Sequence, residues 1–126
     1  MSQDTVADAL NMIRNANKAG KDEVKIRRMS NLLIEILKIM KQNGAVKKYR
    51  INSKEKSVEV TLGDLIECRA IKPRFNVTKF EIEKYRRRYL PARNIGTIII
   101  STNKGLKTHE EAEEEGFGGS LVAFFY

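Results

Sequence analysis

The amino-acid sequence predicts an α/β (α+β) chain of two small lobes: an N-terminal α-β-α-β-β unit over residues 1–64 and a C-terminal, mainly antiparallel β unit with short helices over residues 65–126. Three observations predict it. Stretches with apolar residues at helical spacing open on hydroxyl or carboxylate side chains and stop at glycine or proline. Between them lie short runs of β-branched residues, several alternating with charged ones. Gly63-Asp64 then interrupts the pattern midway, which places the lobe boundary near 63–66.

Residues 4–19 read as the first helix. Asp4 or Thr5 can accept hydrogen bonds from the open N–H groups of the first turn, and Asp8 suits the dipole there. Val6, Leu10, Ile13 and Asn17 trace one face with Ala9 and Ala16 beside them, and Gly20 supplies the left-handed stop. On the other side Asn11, Arg14, Asn15 and Lys18 form one polar stripe. Two asparagines inside a helix are costly in propensity, so a binding surface weighs about evenly against a merely solvated face. Val24 and Ile26 alternate with Lys25 and Arg27 as a short strand. Ser30 caps a second helix to Asn43, with Gly44 as its stop. It is apolar almost all round, so it must be covered on most sides and forms the centre of the N-terminal core. Residues 45–52 and 57–62 are two strands, the second showing a clean alternation of Val58, Val60 and Leu62 with Glu59 and Thr61.

The second half opens on an extended stretch, 66–71, which Pro73 ends or confines to an edge. Thr78 with Glu81 has the spacing of a capping box, with Val77 stapling onto Ile82. The helix they open carries Lys84, Arg86, Arg87 and Arg88 before Leu90-Pro91 halts it. The β-branched run Thr97-Ile98-Ile99-Ile100 reads as a buried strand. It ends in Ser101-Thr102-Asn103-Lys104-Gly105. Thr108 with Glu111 makes a second capping box, opening a short acidic helix that Gly116 closes. Phe117-Gly118-Gly119-Ser120 then turns the chain into a last strand, 121–126.

Composition narrows the function. The net charge is +8 and its distribution is uneven: all 24 Lys and Arg residues precede Thr108, while the last 19 residues hold five glutamates and no Lys or Arg. With a pI near 9.7, a polyanion leads the list of partners, and nucleic acid leads the polyanions. At 41% apolar and 32% charged residues the chain is too apolar for intrinsic disorder. No run approaches the ~20 apolar residues of a membrane span, so no membrane partner is expected. No secretory leader is visible, and one cysteine cannot form an internal disulfide, which together suit the cytoplasm. One histidine and one cysteine do not build a zinc site of the usual type, so no metal and no cofactor are expected.

Three places could carry chemistry. Ser101 to Gly105 sets short hydroxyl and amide groups, a lysine and a permissive glycine after an apolar strand, which suits close approach to phosphates and 2′-hydroxyls; as a sequence fragment it also reads as a plain polar turn. It lacks the leading glycine of a Walker loop. Gly116 to Ser120 can form an anion-binding nest or simply reverse the chain, and gains meaning if it meets the Ser-Thr loop in space. His109 beside Glu110 and Glu111 could act as acid and base, but a lone histidine in a first helical turn is more often surface, so no enzymatic activity is expected. Cys68 reads as a small buried hydrophobe. The clusters 84–88 and 47–50 read as phosphate contacts or solubilising charge.

Taken together, these motifs resemble one family. Asp8, Leu10 and Ile13-Arg14-Asn15-Ala16 are similar to the opening signature of the eighth small-subunit ribosomal protein family. Ser101-Thr102-Asn103-Lys104-Gly105, with Gly118-Gly119 and the terminal apolar strand, resembles its closing signature. The resemblance spans essentially the whole chain. Asn103 replaces the second serine usual in bacterial members, and Ser120 stands where they usually have glutamate. Ile71 to Phe75, Tyr89 to Arg93, Thr108 to Ala112 and Phe124-Phe125-Tyr126 look archaeal or eukaryotic, and the short length favours an archaeal-type member.

The resemblance implies a primary rRNA-binding protein that docks on a helix in the central domain of small-subunit rRNA during assembly. It implies neighbouring small-subunit ribosomal proteins as further partners and a cytoplasmic ribosome as location; many bacterial members also repress their own operon by binding an mRNA that mimics the rRNA site, which makes that mRNA a further candidate partner. By motif, Ser101, Thr102, Asn103, Lys104 and Gly105 would hold the RNA core, with Gly118, Gly119 and Ser120 lining the same site. Arg14, Asn15, Lys18 and Arg74 would add contacts.

Overall fold

A computed structural model of the chain describes residues 5–27, 30–71, 76–92 and 95–126. Its elements run α1 (Thr5–Lys18), β1 (Glu23–Ile26), α2 (Asn31–Gln42), β2 (Val46–Asn52), β3 (Ser57–Leu62), β4 (Cys68–Ala70), β5 (Asn76–Val77), α3 (Ile82–Tyr89), β6 (Thr97–Thr102), β7 (Gly105–Thr108), α4 (His109–Glu115) and β8 (Gly119–Phe125). The fold is α+β with two antiparallel sheets, and the chain divides into two compact units, Met1–Arg69 and Ala70–Tyr126.

In the first unit the strand order is β1-β3-β2. Val60 lies between Val24 and Tyr49, and Val58 between Ile26 and Ile51. Val58 and Val60 are fully buried, which is why the alternation along 57–62 is so legible. The inner face of α1 buries Val6, Ala9, Leu10, Ile13 and Ala16, and α2 buries Leu33, Ile36, Leu37, Ile39 and Met40. Ser30 caps α2 as expected, its hydroxyl accepting from the Leu33 N–H at 3.1 Å. The expected cap at Asp4 lies outside the described residues. Residues 65–68 are tied to α1 by an Asn17 side-chain N–H donated to the Leu65 carbonyl at 2.8 Å and the Cys68 thiol donated to the Leu10 carbonyl at 3.4 Å.

The second sheet has the order β4-β8-β6-β7, with β5 also pairing β8. Ile71, Val77, Ile82, Leu90, Ile98, Ile100, Ala112 and Leu121 form its core beneath α3 and α4. Ile99 points to the opposite sheet face and is buried there as well, so β6 carries an unbroken apolar run instead of an alternating one.

Four local expectations change. Residues 66–71 yield a strand of only three residues, Cys68–Ala70. Two short strands, β5 and β7, have too few residues to produce a periodic signal, and exist because β8 and β6 offer them open edges. Thr78 does not cap α3: Glu81 occupies the N-cap position, while Thr78 to Glu81 form a turn in which the Thr78 N–H donates to the Glu81 carboxylate at 3.0 Å and the Glu81 N–H to the Thr78 carbonyl at 3.0 Å. The box at Thr108 and Glu111 forms in full, and Gly116 closes α4 at φ 78°.

Candidate nucleic-acid interface

Ser101 to Gly105 is not an open loop. It is the tip of the β6–β7 hairpin, where Thr102 pairs with Gly105 and Asn103-Lys104 make the turn. The Thr102 hydroxyl donates to the Gly105 carbonyl at 2.8 Å and accepts from the Lys104 N–H at 3.2 Å. Gly105 has φ 103°, a conformation that other residues reach only with strain. One short side chain and one glycine thus hold the tip, leaving Asn103 and Lys104 exposed to solvent.

The glycine segment meets this tip in space. Ser120 pairs with Ser101 across β8–β6, and Asn76 pairs with Ser120 from the other side. A Cβ on Gly119 would collide with the Ser101 carbonyl oxygen, and one on Gly118 with the Val77 carbonyl oxygen. The two glycines therefore serve close backbone packing at this edge. The Lys104 ammonium stands 5.2 Å from the centre of the Phe117 ring, joining the hairpin tip to the glycine segment directly. Ser101, Thr102, Asn103, Lys104, Gly105, Gly118, Gly119 and Ser120 thus share one end of the second sheet. Phe117, within the Gly116–Ser120 segment, belongs there too, and so does Asn76, which the sequence does not single out. Phe117, set between glycines, was the readable hint; Asn76 had none, because its place depends on β5 adding to β8.

On α1, Asn15 and Lys18 are exposed and Arg14 is half-buried. Arg14 forms an ion pair with Glu67. Burial pushes the Glu67 carboxyl up, but the Arg14 hydrogen bond and the charges of Arg14, Lys18 and Arg69 outweigh it and hold the group below the usual carboxylate range. Arg14 is thus partly committed to its own unit, whereas Asn15 and Lys18 face solvent. Arg74 lies outside the described residues.

His109 is not a surface residue. It is 4% exposed, and its Nδ1 accepts the Ile98 N–H at 3.1 Å. Burial lowers its pKa, so the ring is neutral and ties α4 to β6. That bond occupies Nδ1 and leaves this nitrogen with a structural role, holding the β6 backbone. Cys68 is fully buried, and burial pushes its thiol up to about 12. Among the described residues no cluster of three metal-ligating side chains occurs, and no helix is long and apolar enough to cross a membrane. What this end of the sheet offers chemically is short donors and acceptors, bare backbone, one lysine and one aromatic ring.

Comparison with known proteins places these features in a wider set. The sequence pattern of the family described as ribosomal protein S8 matches residues 4–126. The chain is 45% identical to the small ribosomal subunit protein uS8 of Nanoarchaeum equitans over the full length of both. It is 40% identical to the protein of the same description in Picrophilus torridus, again over the full length of both.

Proposed function

The chain belongs to the ribosomal protein S8 family and is a non-enzymatic constituent of the small ribosomal subunit, and from that premise we propose that it is a primary rRNA-binding protein. It takes hold of a helix in the central domain of small-subunit rRNA and helps build the platform there. The observation that carries this reading is the joining of Ser101 to Ser120 on adjacent strands, with Gly119 packed on the Ser101 carbonyl and Thr102 paired with the bare Gly105 beside them.

Sequence-specific RNA recognition targets distorted, unstacked sites, because the deep groove of a regular A-form helix excludes side chains. Short hydroxyl and amide groups on a rigid sheet end let protein backbone approach such a junction. The lysines and arginines elsewhere supply affinity that depends on salt and not on sequence. Residues 65–126 thus carry the main RNA site, while residues 1–64 touch the backbone through Arg14, Asn15 and Lys18. Asn103 keeps a donor and an acceptor where a serine is usual, and Ser120 replaces a carboxylate with a neutral hydroxyl. The acidic helix α4 faces a basic neighbouring ribosomal protein, and an mRNA that copies the rRNA junction is bound at the same site.

Footprinting on total small-subunit rRNA in moderate salt tests this. Protection concentrated at one irregular junction of the central domain is expected, with the operon mRNA competing for it. Protection spread evenly along the transcript would overturn the reading.

A further inference from the structure

Resting on the reading of this chain as an RNA-binding protein, we infer that Phe80 is a stacking platform for an unpaired base of the bound RNA, beside the hairpin site. Phe80 is 84% exposed, more than any other large apolar side chain among the described residues. It projects from the Thr78–Glu81 turn ahead of α3. The Lys79 ammonium stands 5.1 Å from the centre of its ring.

This turn adjoins the glycine segment. A Cβ on Gly118 would lie 2.9 Å from the Thr78 Cα, and one on Gly116 would lie 3.9 Å from the end of the Lys79 side chain. On the hairpin side the same segment meets Lys104 and Phe117, whose ammonium and ring are 5.2 Å apart. One lysine–phenylalanine pair thus adjoins the glycine segment, and a second includes its own Phe117. Aromatic faces beside cations are what surfaces for single-stranded nucleic acid are built from, since every base has a π-face and every linkage a phosphate.

The chemistry beside Phe80 suits a base together with its flanking phosphates. Lys79, Phe80, Glu83, Arg87 and Glu113 line an open cleft. Glu83 is further engaged by Arg86 through hydrogen bonds of 2.9 and 2.6 Å. With Arg86 counted, cations exceed carboxylates by one here, which suits the phosphates on either side of a base lying on the ring. An uncharged base can lie on the ring while Lys79 and Arg87 meet the phosphates on either side of it. An apolar patch of a neighbouring protein is the other occupant this ring would accept.

The test compares the full-length wild type with Phe80→Ala, Phe80→Trp and Thr102→Ala on a central-domain transcript of small-subunit rRNA. Phe80→Ala is expected to weaken binding about tenfold, with Phe80→Trp retaining wild-type affinity. Ultraviolet irradiation of the wild-type complex is expected to leave a nucleotide adduct on the peptide containing Phe80. At this exposure the alanine variant should melt with the wild type, which separates binding from folding. If Phe80→Ala binds like the wild type while Thr102→Ala is weakened, the stacking platform is overturned and the hairpin site stands. If the wild type shows no preference for the central domain, the functional reading itself fails and the platform with it.

Discussion

Thr102 shows how much one short side chain can decide. Its hydroxyl closes the hairpin tip from both directions, to the Gly105 carbonyl and from the Lys104 N–H, and keeps one lone pair for a ligand. Thr102→Ala or Lys104→Ala should weaken binding to a central-domain rRNA fragment by about 1–3 kcal/mol in a filter-binding assay while leaving random RNA nearly unchanged. Equal losses on both would mean that the tip supplies only charge. His109 makes a separate prediction about pH. Burial holds it below the usual imidazole value of 6.5, so the unfolded chain takes up a proton that the folded chain refuses. The stability it contributes is therefore present above that value and lost as pH falls below it. Thermal melts at about pH 7.5 and 5.5 should show the drop, and His109→Asn, which keeps an acceptor for Ile98, should flatten it. Cys68 should resist thiol reagents in the native protein and react on unfolding.

At the scale of elements, end chemistry was legible where it was local. Ser30 and Thr108 form their caps as their spacing predicts, because a cap needs only its own first turn. Thr108→Ala should lower stability by about 1 kcal/mol in denaturant unfolding. Thr78 and Glu81 have the same spacing and behave differently. Asn76 and Val77 are committed to β8, and the residues after them turn before the helix begins. The strand β7 leaves no local signal for a related reason: four residues opening on glycine carry no period, and their order comes from pairing with β6. The basic face of α3 also divides once its contacts are known. Arg86 is half-buried and held by Glu83 at 2.6 Å, whereas Arg87, 3.7 Å from the same carboxylate, and Arg88 are exposed. Replacing Arg87 and Arg88 with glutamine should reduce the slope of log affinity against log salt by up to about 2, with specificity preserved.

For the whole molecule, the division of charge and the division of recognition do not coincide. The 24 cations are spread over residues 1–107, while the expected specific site occupies a few small residues at one end of the second sheet. Raising salt should therefore strip away binding to random RNA first and leave the preferred junction occupied, which competition against bulk RNA across a salt series would measure. A parallel loss on both RNAs would show that charge carries the interaction alone.

Periodicity, caps and charge are properties of neighbouring residues, and by itself the sequence determined what depends on them: the four helices, the alternating strands of the first sheet, the basic character and the two signatures that point to one family. Only the tertiary structure decided that Ser101 lies beside Ser120, that Asn76 joins them, that Arg14 is paired with Glu67 and that His109 is buried. Each of these rests on contact between residues distant in the chain, or on exclusion of water by the packed core, and no local window contains either.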